Sequence, residues 1–153
     1  MKKYVVGFAF TEHIDKVVLI NKIKPEWQKD KLNGVGGKVE EGESFIDAMV
    51  REFWEETGVQ TKADDWKHFA TMTFDHGALH SERAPAESVI QVYSTFNDEI
   101  VANIKTTTTE VVDQYRYPDV LESKIIPNLH WIMPAAVYSR HESVHLTASW
   151  NLQ

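Results

Sequence analysis

Glu52, Glu55 and Glu56 stand three and four residues apart, a spacing that puts all three carboxylates on one face of a helix. Side by side, such charges destabilise the helix unless something positive sits among them. Anionic, oxygen-only ligands suit Mg²⁺ or Mn²⁺, and Mg²⁺ keeps waters and binds through few carboxylates plus the phosphates of a substrate. The chemistry within reach is metal-assisted attack on a phosphate chain. Three glutamates alone read more often as a solvated acidic face, so their surroundings decide.

The element that must carry them can be built from the sequence. Ser44 follows a Gly/Glu loop and is a good N-cap, and Gly58 falls where a left-handed residue ends a helix. The pattern predicts a helix over 45–57. Ile46, Met49, Val50, Phe53 and Trp54 form its apolar arc at about 100° per residue. A glycine-bounded loop, Gly37 to Glu43, leads directly into it.

From Gly37 to Val59 the residues read G-x5-E-x7-R-E-U-x-E-E-x-G-U, with U a bulky apolar residue. Gly37, Glu43, Arg51, Glu52, Glu55, Glu56 and Gly58 fill every fixed position. At average residue usage such a match arises by chance on the order of 10⁻⁷ times in a chain this long. The stretch resembles the signature of the Nudix hydrolases. Its one departure is Phe53, at an apolar position more often filled by an aliphatic residue.

The resemblance implies an α/β fold, the Nudix-type αβα sandwich around a mixed β-sheet. It also implies roles. Glu52, Glu55 and Glu56 would hold Mg²⁺, or Mn²⁺, helped by a main-chain carbonyl near Gly36 or Gly37. Arg51 would orient the carboxylates. Glu110, just ahead of a strand, would be a further metal ligand or the general base. Glu43 is read as a cap or loop brace at the helix start, where negative charge is favourable. Gly37 and Gly58 are read as backbone-conformation residues.

Asn33-Gly34-Val35-Gly36-Gly37-Lys38 looks like the MutT-like branch, which cleaves nucleoside triphosphates, including oxidised purines of the 8-oxo-dGTP type, to the monophosphate and pyrophosphate. There Asn33 would contact the base, and Asn128, ahead of the last helix, would be a second base reader. An amide offers both donor and acceptor to a purine edge, and Asn128 also suits a plain N-cap. Trp131, Trp27 or Phe74 could stack on the base or pack in the core. Lys38, Lys22 and Lys24 could meet phosphates, the last two sharing a strand face. Alternative substrates are ADP-ribose, a nucleotide sugar or a dinucleoside polyphosphate; another alternative is a non-catalytic nucleotide-binding domain.

Composition bounds the rest. The 153 residues, 42% hydrophobic and 25% charged, suit one well-buried domain spanning 1–153. A net charge of −7 argues against a general nucleic-acid binder, but not against a single nucleotide whose metal carries positive charge. The expected partner is a small-molecule nucleotide, with the chain a monomer or homodimer. No apolar run approaches membrane length, no signal peptide is expected, and the absence of cysteine excludes disulfides and suits the cytoplasm. Strands are expected at 3–10, 16–23, 66–74, 88–96, 111–117 and 144–148, with a helix over 128–140 containing Pro134. A charged loop covers 24–32, residues 34–39 lead into the signature helix, and 106–109 is a threonine loop. A long loop at 75–87 carries His76 and His80, read as exposed histidines. Strands and helices in mixed order fit a layered α/β domain.

Overall fold

Successive side chains of the first strand enter two different cores, and that alternation lays out the molecule. The computed structural model describes residues 1–75 and 87–151. Strand β1 (Lys2–Phe10) sends Val5 and Ala9 to one buried cluster and Phe8 and Phe10 to the other. Strand β2 (Lys16–Asn21) repeats this with Val18 and Ile20 against Val17 and Leu19. The chain continues through β3 (Leu32–Asn33), β4 (Val35–Lys38), α1 (Phe45–Thr57), β5 (Lys67–Asp75), β6 (Glu87–Phe96), α2 (Asp98–Ala102), β7 (Val112–Arg116), α3 (Leu129–Tyr138) and β8 (Leu146–Asn151).

β1 is the hub of the sheet. It pairs antiparallel with β4, from Tyr4↔Lys38 to Gly7↔Val35, and parallel with β6, from Lys2↔Ser88 to Phe10↔Phe96. β5 continues the sheet antiparallel to β6, and β8 lies parallel to β5. On the other side β2 pairs antiparallel with β7 and β3, and meets β1 at Phe10↔Val17. Helix α1 covers one face through Ala48, Met49 and Phe53, and α3 covers the other through Leu129, Ile132, Met133 and Ala136. The result is an αβα sandwich around a mixed sheet, as expected.

Helix α1 has the expected bounds. The Ser44 hydroxyl accepts from the Asp47 N–H at 3.2 Å, and Gly58 closes the helix at φ 74° with its N–H on the Trp54 carbonyl at 2.8 Å. The apolar arc is narrower than expected. Phe53 is fully buried, its ring edge-on to Trp66 at 5.1 Å, while Trp54 is 51% exposed. The core-facing stripe runs Ala48, Met49, Phe53 and Thr57, with Glu56 half-buried beside it. A carboxylate therefore stands at the margin of the buried stripe.

Elsewhere the boundaries move. β2 ends at Asn21, so Lys22 and Lys24 lie outside the strand expected to align them. Residues 35–38 form β4 instead of a lead-in, because β1 supplies their ladder. The sequence does not predict α2; the Asn97 side-chain Oδ1 caps it by accepting from the Ile100 N–H at 3.0 Å. Pro134 lies inside α3, and the last strand begins at Leu146. His76 and His80 lie outside the described residues.

Replacing Phe53 with alanine is expected to cost about 3–5 kcal/mol. Trp54→Ala is expected to cost under about 1 kcal/mol, since surface changes away from special features are small. Denaturant unfolding checks this; equal losses in the two variants would contradict the packing described.

Candidate active site

Arg51 gathers the signature. Its guanidinium grips Glu43 with two hydrogen bonds, Nε to Oε2 at 2.8 Å and Nη2 to Oε1 at 2.9 Å. Nη1 donates to Glu52 at 2.9 Å and to Glu55 at 3.2 Å, and Nη2 also reaches the Lys38 carbonyl at 3.0 Å. The planar fork suits carboxylates gripped this way. Its hydrogen bond to Glu43 and the neighbouring charges hold the guanidinium even further above its usual range. In turn Arg51 holds the Glu43 carboxyl below the ordinary carboxylate range. Glu43 Oε1 accepts the Glu40 N–H at 3.0 Å as well, so Glu43 braces the loop and the arginine together.

Glu52 and Glu56 have a different environment. Burial pushes the Glu52 carboxyl above its usual range, against the pull of Arg51. Burial likewise pushes Glu56 up to about 7, with Glu110, Glu52 and Glu55 adding repulsion and only Lys22 opposing. Glu56 Oε2 is buried and has no hydrogen-bond partner among the described residues. Burying a carboxylate oxygen without a partner is costly, and Glu56 carries this burden at the margin of the buried stripe.

Glu110 approaches from outside the helix. It accepts from the Lys22 ammonium at 3.0 Å, the Ile23 N–H at 2.6 Å and the Lys24 N–H at 3.2 Å. Its burial would raise the carboxyl, but these donors together hold it below the usual range. The loop that carries it is fastened to the end of α1. Lys105 N–H donates to the Thr57 carbonyl at 3.0 Å, and the Thr107 hydroxyl donates to the Glu55 carbonyl. The threonine loop thus satisfies carbonyls that a helix end leaves open, and it fixes Glu110 relative to Glu56.

Gly37 leaves room for the Glu52 carboxylate. A Cβ there would stand 2.5 Å from the Glu52 carboxylate. Its φ is not positive, unlike that of Gly58, so the expectation of a conformational role holds for Gly58 and is corrected for Gly37. Gly36 sits beside it on β4, across from Val6 of β1.

The base-reading candidates have hydrogen-bond partners other than the carboxylates. Asn33 Oδ1 accepts from the Gly34 N–H at 2.8 Å, and its Nδ2 donates to Gln28 at 3.1 Å. Asn128 stands at the start of α3 with αR backbone, and its side chain makes no capping bond among the described residues. Instead its Nδ2 lies 3.8 Å from the Met72 sulfur, and its Oδ1 is buried without a hydrogen-bond partner among those residues. The plain N-cap reading is therefore corrected. Segment 125–126 is laced to β3, with the Ile126 N–H on the Leu32 carbonyl at 2.9 Å. Trp27 is 61% exposed on a 3₁₀ turn, whereas Trp131 and Phe74 pack partly against the α3-side core. Lys38 and Lys24 are exposed, and Lys24 reaches the site through its backbone N–H. Gln28 and Thr107 carried no sequence signal for these bonds, because each partner is set by tertiary pairing.

The donor chemistry fits a hard divalent cation, with oxygen-only ligands and one buried carboxylate oxygen lacking a partner. Among the described residues no three acidic or histidine side chains converge as a metal group as they stand. Arg51 draws Glu52 and Glu55 to itself, and Lys22 draws Glu110.

The family model described as the NUDIX domain matches residues 1–138. No curated protein matches the chain. Among solved structures, the MutT protein from Bacillus halodurans superposes with a TM-score of 0.72 at 19% identity, covering 100% of this chain and 91% of that one. The NUDIX domain of Shewanella oneidensis NrtR, solved with ADP ribose, gives 0.67 at 19% identity over 90% and 87%. The C. elegans Ap4A hydrolase gives 0.56 at 12% over 90% and 97%. At these identities the likeness is one of fold.

Glu56 also sets a pH dependence. Its carboxyl titrates near 4.5 unfolded and about 7 folded. The folded chain therefore holds a proton that the unfolded chain releases. That stabilisation is complete below about 4.5 and is lost as pH rises through about 7. In metal-stripped protein, Glu56→Gln is expected to gain stability over wild type across that window and then level off. Denaturant midpoints from pH 4.5 to 8 measure this; a difference that does not change with pH would contradict it.

Proposed function

The chain belongs to the Nudix family, and on that premise we propose that it is a Mg²⁺-dependent pyrophosphohydrolase of nucleoside triphosphates. Oxidised purines of the 8-oxo-dGTP type are included among its substrates, and the products are the nucleoside monophosphate and pyrophosphate. The observation that carries the reading is the buried, unpartnered Oε2 of Glu56, set beside Glu52 on the signature helix.

Glu52, Glu55 and Glu56 would hold the cation, with a main-chain carbonyl near Gly36 or Gly37. Bound there, Mg²⁺ supplies charge neutralisation on the diphosphate oxygens and lowers the pKa of a bound water. Arg51 holds Glu52 and Glu55 in register, and Glu43 holds Arg51. The proton lost by the attacking water would pass to the Glu52 carboxylate, which Arg51 holds in place against Gly37. Glu110, already satisfied by three donors, places negative charge beside Glu56 and fixes the bend at 22–24. Lys38 and Lys24 meet the phosphate chain. Asn33 and the unpartnered acceptor of Asn128 read the base, and exposed Trp27 stacks on it. The acidic surface suits a free nucleotide over nucleic acid. No helix of the described residues is long and apolar enough to cross a membrane; the reading places the enzyme in the cytoplasm as a monomer or homodimer.

Turnover of oxidised and normal nucleoside triphosphates, ADP-ribose and diadenosine polyphosphates, with and without Mg²⁺, tests this. Triphosphates should release pyrophosphate only with the metal. Glu52→Gln and Glu56→Gln should each lower kcat/KM at least about 100-fold with the fold intact. Full activity in either variant, or preferential turnover of ADP-ribose, would overturn the assignment.

A further inference from the structure

A bulge in β5 breaks the alternation of its side chains. His68 pairs with Tyr93 and Ala70 with Val92 of β6, which leaves Phe69 as the extra residue. Phe69 turns into the α3-side core, fully buried. In an unbroken strand His68 and Thr71, three apart, would point to opposite faces. Across the bulge they meet instead, with His68 Nε2 3.0 Å from the Thr71 hydroxyl. His145 arrives from the position just ahead of β8, which runs parallel to β5. Its Nε2 lies 3.0 Å from the same hydroxyl. The Lys67 ammonium fastens the preceding segment by donating to the Ser139 and Glu142 carbonyls.

Two imidazole nitrogens thus converge on one oxygen, with the rings edge-on and their centroids 4.5 Å apart. The hydroxyl has one proton to give, so both contacts are hydrogen bonds only if at least one Nε2 carries hydrogen. With both nitrogens bare, their lone pairs and the oxygen form a ligand set for a cation. Two ligand atoms about 2.1 Å from one ion stand roughly 3.0–3.4 Å apart, for octahedral or tetrahedral angles. Each nitrogen already stands 3.0 Å from the oxygen. Burial, with His145 adding repulsion, holds the His68 imidazole below its usual range, which favours the neutral form that ligates. His68 and Thr71 are half-buried, while His145 is exposed and gives an ion a way in.

We propose that His68 and His145, with the Thr71 hydroxyl at a third corner, form a separate metal site for a divalent transition-metal ion of the zinc class, water completing its shell. Imidazole suits Zn²⁺, Cu²⁺ and Ni²⁺, whereas the signature carboxylates suit Mg²⁺ and Mn²⁺. The two sites share no residue, so this one stands or falls independently of the hydrolase reading. An ion held here ties β5 to the segment ahead of β8, the strand at the end of the sheet order.

The test titrates Zn²⁺ and, separately, Mg²⁺ into the protein while the histidine ring nitrogens are followed by NMR. Zn²⁺ should shift Nε2 of His68 and His145 together, over one concentration range, and place the remaining ring hydrogen of both on Nδ1. Mg²⁺ should leave both rings unmoved. In His145→Ala, which alters an exposed side chain, the Zn²⁺ concentration needed to shift His68 should rise at least about tenfold, a loss that even an outer-shell change can cause. Zn²⁺ that leaves both rings unshifted, shifts only one of them, or shifts His68 equally well in His145→Ala overturns the site. Equal shifts from Mg²⁺ overturn it too, and Thr71 is then a hydrogen-bond bridge only.

Discussion

A single guanidinium makes the acidic helix tenable. Glu43, Glu52 and Glu55 all hydrogen-bond Arg51, and Glu40 lies 3.8 Å from it. The arginine side chain is only 21% exposed, so these bonds sit partly out of water, where losing one partner leaves the others poorly compensated. Arg51 also reaches back to the Lys38 carbonyl, which joins the helix to the loop ahead of it. Loop, strand β4 and helix α1 are thereby one unit, and the place of Glu52 against Gly37 follows from that unit.

Glu56 is what this arrangement leaves uncompensated. It stands half-buried beside the core-facing stripe of α1 and makes no ion pair with Arg51, and Lys22 is the cation that favours its charged form. A fold selected for stability alone would place an apolar residue there. A carboxylate kept partly buried and unpaired is a common mark of a working site. The surrounding structure supports it from two sides, because β1 holds β4 and the threonine loop holds Glu110. Strand pairings far apart in sequence set the distance between these carboxylates.

Much of the site could be read from residue order, because the signature helix is local. Ser44 and Gly58 bound α1 as expected, and offsets of three and four place its glutamates together. Trp54 failed that logic because apolar character does not reveal which arc of a helix meets the sheet. Gly37 failed it because its constraint comes from a side chain fifteen residues away, not from φ. Strand β4 and the Asn33–Gln28 bond were illegible for a related reason: both depend on partners that only tertiary pairing brings near. Lys22, which could meet a phosphate from a face shared with Lys24, instead lies past the end of its strand and pairs its ammonium with Glu110.

The central claim is that Glu56 is held partly protonated until a divalent cation takes its carboxylate. Calorimetric titration of the protein with Mg²⁺ at pH 7, in two buffers of different ionisation enthalpy, tests this most directly. With the carboxyl pushed up to about 7, the expected result is release of a fraction of a proton for each cation bound. That release should be absent in Glu56→Gln. Mg²⁺ binding with no proton release, or the same release in the variant, would contradict the account.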